Sequence, residues 1–455
     1  MHQKILYLPI EIKARELLGK LLLAAKAVER GWIVVMGAKK EINQQIESLP
    51  PGVFVEISIP DHKQHKLSNL KKQGFLLTNL CEESIVYHDP YDYVSRKIGD
   101  KSLAVTDWLF TPGSLNENDL LIHSPETKGK AFVCGNPRFD TLLQKFRVVY
   151  EAEAGLLRKK FGKFLLVNTN FGGTSNPFKR GQDVTEKFIK SGYITDTSLI
   201  ETRRRFTDYK IEQMTKLQLE IEKIVDAGIF DRVVIRPHPT ENQEVWREWI
   251  PNNKVEVWYE GSANTWMLAA HSVLHTGCTT GIEGLLLDIP IFSFCTEPES
   301  EFLNIADDIS MQVNSAKELL SYIEQLDIEY KTSFERLFAT KRQLIKPYIQ
   351  NISGLYSSDL IMDKLDSVTP AFSSGANRLD LVKRFQPKKN HWKYQFRSVL
   401  ERLSRKKIKT KKVNQKFPSI AASDIRIPLA LWSQNKTLKK LPAYSRIGEK
   451  TWILY

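Results

Sequence analysis

Between Ile5 and Met36 the chain spells out one complete strand–helix–strand unit. Ile5-Leu6-Tyr7-Leu8 is a short apolar run that Pro9 interrupts. From Arg15 to Arg30, Leu17, Leu18, Leu21, Leu22, Ala25 and Val28 recur at helical spacing. Gly31 ends that helix, and Ile33-Val34-Val35-Met36 follows as the next strand. Strands joined by a helix pair in parallel through a right-handed crossover, so this opening commits the chain to an α/β fold. Further short apolar runs at Val53–Ile57, Gly74–Leu77, Ala104-Val105 and Lys130–Val133 extend the pattern.

A second series begins at Phe164-Leu165-Leu166-Val167. It continues through a long helix from about Thr197 to Ala227, then the runs Arg232–Ile235, Val255–Trp258, Ser272–Leu274 and Pro290–Phe294. At 455 residues the chain is too long for one ordinary domain. The expected organisation is an N-terminal α/β domain over 1–140, a connector over 141–162 and a second α/β domain over 163–330. Helices over 331–366 return toward the first domain, and a tail of different composition occupies 367–455. Neither first strand is followed by G-x-G-x-x-G, so two Rossmann-like domains with a ligand cleft between them are expected, not a dinucleotide fold.

No apolar run approaches the ~18 residues that a spanning helix needs. The N-terminal residues read as a first strand and carry no signal-peptide pattern, which places the chain in the cytoplasm. Cys81, Cys134, Cys278 and Cys295 form no C-x-x-C pair, so buried thiols are expected and neither disulfides nor a zinc site.

The formal charge of +13 is local. Lys383–Lys416 holds fourteen basic residues and one acid, Glu401, which leaves the other 421 residues electrically balanced. Lys388, Lys389, Arg405, Lys406, Lys407, Lys411 and Lys412, interleaved with aromatics such as Trp392, suit an anionic inner-leaflet surface. A merely solvated segment is the plain alternative. No nucleic-acid motif accompanies the charge, so no nucleic-acid partner is expected.

Two constellations sit where apolar strands end. Ligands of open parallel sheets bind beyond the carboxyl ends of the strands. Val233-Val234-Ile235 runs into Arg236-Pro237-His238-Pro239, a guanidinium and an imidazole on a proline-stiffened loop, suited to phosphate. Ser272-Val273-Leu274 runs into His275-Thr276-Gly277-Cys278-Thr279-Thr280-Gly281-Ile282-Glu283, a hydroxyl-rich turn opening a helix, where N–H groups favour an anion. Glu283 either accepts from ribose hydroxyls or caps the helix reciprocally with Thr280. Asn170 and Gly172-Gly173, after the first strand of the second series, offer a loop that a donor could approach closely.

Together these motifs resemble the C-terminal half of bacterial GT-B surface-carbohydrate enzymes. That group includes the capsule and lipopolysaccharide Kdo transferases and, more distantly, CDP-glycerol glycerophosphotransferases and nonhydrolysing UDP-GlcNAc 2-epimerases. The opening Leu6-Tyr7-Leu8-Pro9-Ile10-Glu11 with Arg15-Glu16, and Gly135-Asn136-Pro137-Arg138-Phe139-Asp140, resemble a family described as surface carbohydrate biosynthesis proteins. The resemblance spans about residues 4–350 and implies a GT-B fold, with two parallel sheets facing a central cleft. It also implies that His238 contacts the donor phosphate and that Thr279 and Thr280 bind phosphate too; Arg236, Pro239, Thr276, Gly277, Cys278 and Glu283 are the other donor-side candidates of the two motifs. The acid-acid-Gly motif of such enzymes, whose second acid is a general base, finds its nearest match in Glu82-Glu83-Ser84, with Ser in place of Gly. Glu83 is thus the candidate base, and Glu82, Glu11, Arg15 and Glu16 are acceptor-side candidates. For Glu11, Arg15 and Glu16 a buried ion pair locking the helix is the equal alternative.

The expected activity is transfer of a sugar, best a CMP-linked ulosonic acid such as Kdo, to a bacterial surface glycan or lipid-linked acceptor. The nucleotide sugar is a substrate and no cofactor is expected. No metal-chelating DxD motif stands out, so metal-independent transfer by a peripheral enzyme of the inner membrane face is expected. CDP-polyol phosphotransfer, nucleotide-sugar epimerisation and a non-catalytic membrane-bound scaffold are the rival readings.

Overall fold

The computed structural model describes residues 4–87, 89–172, 175–176, 179–180, 189, 197–297, 300–329, 332–350, 352, 354–368, 378–385, 417 and 419–455. The chain divides into two compact units, Met1–Val149 with Lys346–Tyr455, and Tyr150–Ile345.

In the first unit, strands β1 (Ile5–Ile10), β2 (Ile33–Ala38), β3 (Val53–Glu56), β4 (Leu76–Leu80), β5 (Trp108–Thr111) and β6 (Ala131–Val133) form one sheet in the order β2-β1-β3-β4-β5-β6. Every pairing among these six is parallel. Alternation along the strands separates two cores. Leu6, Leu8, Val34 and Met36 face the helix Lys13–Glu29, whereas Tyr7, Ile33, Val35 and Phe54 face the opposite layer with Leu67, Leu70 and Leu103.

The sheet does not end at β2. Thr451–Leu454 pairs antiparallel with β2, and Tyr444–Arg446 pairs antiparallel with Thr451–Leu454. The expectation of one basic tail over 367–455 is corrected here. The helix Ala422–Gln434 buries Ile425, Leu429 and Trp432 in the same core as Leu6 and Leu8, and the Trp432 Nε1 donates to the Phe146 carbonyl at 2.9 Å. Charge-based reading hid this because Pro428 and Pro442 resemble linker residues, while the helix and hairpin are too short to dominate local composition. Their addition covers the edge of β2, which would otherwise present unpaired backbone groups.

The motif Gly135–Asp140 anchors the chain's return. The buried Asp140 carboxylate accepts from the Ser357 and Ser358 N–H groups at 3.0 and 2.8 Å and from Ser358 Oγ at 2.8 Å, capping the helix Ser357–Val368. A Cβ at Gly135 would collide with Ser357 Oγ and lie 2.8 Å from the Gln350 carbonyl, so only glycine allows that approach. Burial raises the Asp140 carboxyl to about 6 against these hydrogen bonds.

The second unit holds β7 (Phe164–Asn168), β8 (Arg232–Arg236), β9 (Val255–Val257), β10 (Ser272–His275), β11 (Ile291–Phe294) and β12 (Met311–Val313). They pair in parallel in the order β9-β8-β7-β10-β11-β12. In chain order this is 3-2-1-4-5-6, the doubly wound Rossmann arrangement, whose direction reverses between β7 and β10. The helix Thr332–Leu344 belongs to this unit, so the crossing back falls at residues 345–346 and not at 331. All four cysteines are buried free thiols. Among the described residues no helix is long and apolar enough to cross a membrane.

Candidate functional site

At the reversal point, Arg236 and His275 both lie in register with Asn168, one on either side of β7. The loops leaving β8, β7 and β10 therefore emerge side by side at the carboxyl end of the sheet, where ligands of such sheets bind.

Glu241 ties the first two loops together. Its buried carboxylate accepts from Thr169 Oγ1 at 2.8 Å, the Phe171 N–H at 2.8 Å, the His238 N–H at 3.1 Å and Trp246 Nε1 at 2.9 Å. Burial raises its pKa while these donors oppose the shift. Gly172 lies so close to Thr240 that a Cβ there would collide with its Oγ1. The glycine thus allows this loop-to-loop contact. Gly173 lies outside the described residues.

The His238 imidazole has a defined tautomer. The Thr240 N–H can only donate, and it points at Nδ1 at 3.3 Å, with Thr240 Oγ1 2.8 Å from the same nitrogen. Nδ1 is therefore the acceptor, and the neutral ring carries its proton on Nε2. Across the reversal point, the Asn170 N–H donates to Thr276 Oγ1 at 2.8 Å and its Nδ2 to the Gly277 carbonyl at 3.2 Å.

The β10 loop is fixed from beneath. His275 Nδ1 accepts the Gly277 N–H at 3.1 Å, and Nε2 meets Ser310 Oγ at 2.8 Å. Ser310 Oγ itself donates to the Ala306 carbonyl at 2.7 Å, so it accepts from His275 Nε2–H. Burial pushes the His275 pKa down to about 3, so this ring is a neutral structural strut. Lys210, on the helix Thr197–Asp226, donates to the Thr276 carbonyl at 2.7 Å and to Gln213 Oε1 at 2.8 Å.

Among solved structures, the wall teichoic acid polymerase TagF matches with a TM-score of 0.50 at 9% identity, over 81% of this chain and 88% of that one. The chain has the GT-B fold. The UDP-GlcNAc 2-epimerase of Methanocaldococcus jannaschii aligns at a TM-score of 0.48 and 14% identity, over 80% of this chain and 99% of that one. The Neisseria meningitidis epimerase gives 0.48 and 13%, over 80% and 100%. No protein-family model matches the chain, and no curated protein matches it in sequence.

Within this GT-B fold, Arg236 turns its fork onto a neighbouring loop. Its Nη atoms donate to the carbonyls of Tyr259, Glu260 and Gly261 at 3.2, 2.8 and 3.1 Å, and the guanidinium lies 5.2 Å from the Trp266 ring centroid. Burial lowers its pKa to about 10. A strand-terminal Arg looks the same in sequence whether it faces phosphate or a neighbouring loop. Thr279 is the N-cap residue of the helix and makes no side-chain cap, while Thr280 Oγ1 lies 2.7 Å from Cys278 Sγ. Glu283 is buried within that helix, and burial pushes the Cys278 thiol up to about 11. Pro239 sits in the His238–Glu241 turn. Glu241 and Lys210 escaped the sequence reading. An acid two residues past the second proline was the one available signal for Glu241; a lysine inside a long amphipathic helix gives none.

In the first GT-B unit, the acidic candidates divide by burial. Glu16 is fully buried and accepts the Ile12 and Glu11 N–H groups at 2.8 and 3.0 Å, with Lys20 Nζ at 2.8 Å. Lys20 also donates to the Pro9 carbonyl at 2.7 Å, so this pair locks the turn from β1 into its helix. Glu82 is buried against Asn136 Nδ2 at 3.1 Å, and Arg138 donates to its carbonyl at 3.3 Å. Glu16 thus takes the ion-pair alternative, and Glu82 is a buried carboxylate held by Asn136. Glu11 remains partly exposed and pairs with Lys39 at 2.8 Å. Glu83 is the exposed acid: its side chain is 52% accessible, 2.5 Å from Lys97 Nζ and 3.5 Å from Arg15 Nη1. Burial opposes the shift, yet Lys97 and Arg15 hold its carboxyl down at about 2. The basic candidates Lys388, Lys389, Trp392, Arg405, Lys406, Lys407, Lys411 and Lys412 lie outside the described residues.

Proposed function

We propose that the chain binds a nucleotide-activated donor at the β7–β10 reversal point and transfers its sugar to a bacterial surface glycan or lipid-linked acceptor. The observation that carries this reading is the His238 ring, fixed as the Nε2–H tautomer by Thr240 and seated by Glu241 where three strand-end loops converge. An Nε2–H donor there stabilises charge on the departing phosphate as the bond to the anomeric carbon breaks. Thr279, Thr280 and Cys278, at the start of the following helix, are the further donor contacts.

The nucleotide is proposed to be a cytidine nucleotide. The sequence resemblance favours a CMP-linked ulosonic acid such as Kdo, and the TagF structure was solved with CDPG. TagF also supports a second reading, phosphotransfer from a CDP-polyol on the same fold.

Glu83 is proposed as the base toward the acceptor hydroxyl. In its resting ion pair its proton affinity is too low for that task, since efficient bases titrate near the working pH. Base catalysis therefore requires the bound acceptor to displace Lys97. The basic stretch Lys383–Lys416 is proposed to hold the enzyme at the anionic inner membrane face, with the lipid-linked acceptor.

The test is product analysis with cytidine-activated donors and membrane-derived acceptors. A new glycosidic bond, released nucleotide and its loss in His238→Ala support sugar transfer. A new phosphodiester selects the polyol reading instead. Donor interconversion without acceptor, or glycan synthesis unchanged by His238→Ala, rules the transferase reading out.

A further inference from the structure

Lys210 is a buried cation. The residue is 5% exposed, and its ammonium donates to two neutral acceptors, the Thr276 carbonyl at 2.7 Å and Gln213 Oε1 at 2.8 Å. Among the described residues it forms no salt bridge. Phe171, Phe206 and Tyr209 surround it, with ring centroids 5.6–5.7 Å from Nζ. Isolated charges buried this deeply are costly and persist where something compensates them.

The position of the charge is specific. The Thr276–Gly277 peptide is held at both ends, its carbonyl by Lys210 and its N–H by His275 Nδ1. The same helix reaches the next strand, where Gln213 Nε2 donates to the Phe294 carbonyl at 2.5 Å. Lys210 thus lies directly under the turn at which Asn170 joins β7 to β10.

We infer that Lys210 is a positioning residue for an anionic ligand, a phosphate or diphosphate group, at the Thr276–Thr280 turn. It acts through the Thr276 peptide, which it orients, and through its own charge beneath the turn, which no salt bridge among the described residues neutralises. The inference deepens the nucleotide-donor reading and rests on it for the identity of the ligand.

Its charge state makes the inference testable by pH. Burial lowers the Lys210 pKa to about 8, with Asp307, Cys278, Cys295 and Glu241 opposing the shift. The other titratable groups facing it lie away from that value: His275 at about 3, Cys278 at about 11 and Cys295 at about 12, while Tyr209 is raised by burial. Burial raises the Glu241 carboxyl against its hydrogen-bond donors, and Asp307 accepts from Ser293 Oγ. Anion affinity is therefore expected to fall as pH rises from about 7.5 to 9.5, through loss of the Lys210 proton.

The experiment titrates the full-length protein with CDP, with cytidine and with inorganic pyrophosphate across that pH range. Wild type is compared with Lys210→Met and Lys210→Arg, and thermal melts confirm folding. Lys210→Met is expected to lose roughly tenfold or more in affinity for CDP and pyrophosphate, the scale of a hydrogen bond to a charged group. Its cytidine affinity is expected to hold, its pH dependence to flatten, and Lys210→Arg to recover most binding at high pH. Equal loss for cytidine and CDP, or an unchanged pH profile in Lys210→Met, overturns the inference. Wild-type binding of pyrophosphate without any nucleotide preference sinks the donor reading while leaving the anion site standing. Binding of neither sinks both.

Discussion

The Glu241 carboxylate accepts the backbone N–H of His238 at 3.1 Å and so ties the residue that carries the imidazole to the neighbouring strand-end loop. The same oxygen accepts the Phe171 N–H, so the β7 and β8 loops share an acceptor. Glu241→Ala leaves Thr169, Phe171 and Trp246 donors buried without a partner. A loss of about 3 kcal/mol or more is expected from the second unit. Urea unfolding followed by tryptophan fluorescence measures it, and Glu241→Gln is expected to fall between wild type and Ala.

Gly172→Ala tests the loop-to-loop contact separately. The added Cβ meets Thr240 Oγ1, so Thr240 and the His238 ring that it orients must move. Nucleotide affinity is expected to drop about tenfold or more, with a modest change in melting temperature. Combining it with Thr240→Ala removes the colliding atom but also a His238 partner, so stability is expected to recover further than affinity. Calorimetric titration and a thermal melt on the same samples separate the two.

Arg236→Lys distinguishes a structural fork from a ligand-binding one. A lysine cannot reach all three carbonyls of the 259–261 loop at once, so a destabilisation of about 1–2 kcal/mol is expected. The ratio of CDP to cytidine affinity is expected to stay unchanged. A selective loss of CDP binding in a stably folded variant would return Arg236 to the phosphate.

The first unit carries an acid-labile ion pair cluster. Glu56 is buried between Lys63 and Lys66 at 3.1 and 2.7 Å. Burial opposes the shift, but the two ammonium groups hold its carboxyl at about 2, below the ordinary 4.5. A depressed folded-state value means the contribution is present above 4.5 and lost as pH falls toward 2. Its ceiling is about 3 kcal/mol, and the burial that lowers Lys63 reduces it. Unfolding free energy measured between pH 5 and pH 2.5 (about that window) is expected to fall more steeply in wild type than in Glu56→Gln. The half-exposed Glu83 titrates in the same range and adds a smaller, salt-screened part.

What the sequence revealed follows from what each signal depends on. The β1–helix–β2 unit and the strands ending at Arg236 and His275 were legible because buried parallel strands read as apolar runs bounded by polar turns. The loops that converge at β7 were likewise visible as Asn170, His238 and Thr276. The direction of a side chain at a strand end or in a first helical turn has no such signature, and Arg236, Glu82 and Glu16 turned inward. Lys210 and Glu241 were hidden because a buried charge is recognised by its surroundings, which come from distant parts of the chain. The Thr451–Leu454 strand was hidden beside a basic stretch that dominated local composition.

The most direct test of the donor-site assignment is calorimetric titration of wild type and His238→Ala with CMP, CDP, UDP and GDP. The account predicts that wild type binds a cytidine nucleotide most tightly, and that His238→Ala folds normally but loses roughly tenfold or more of that affinity. Wild type binding none of the four, or His238→Ala binding them all as wild type does, would contradict it.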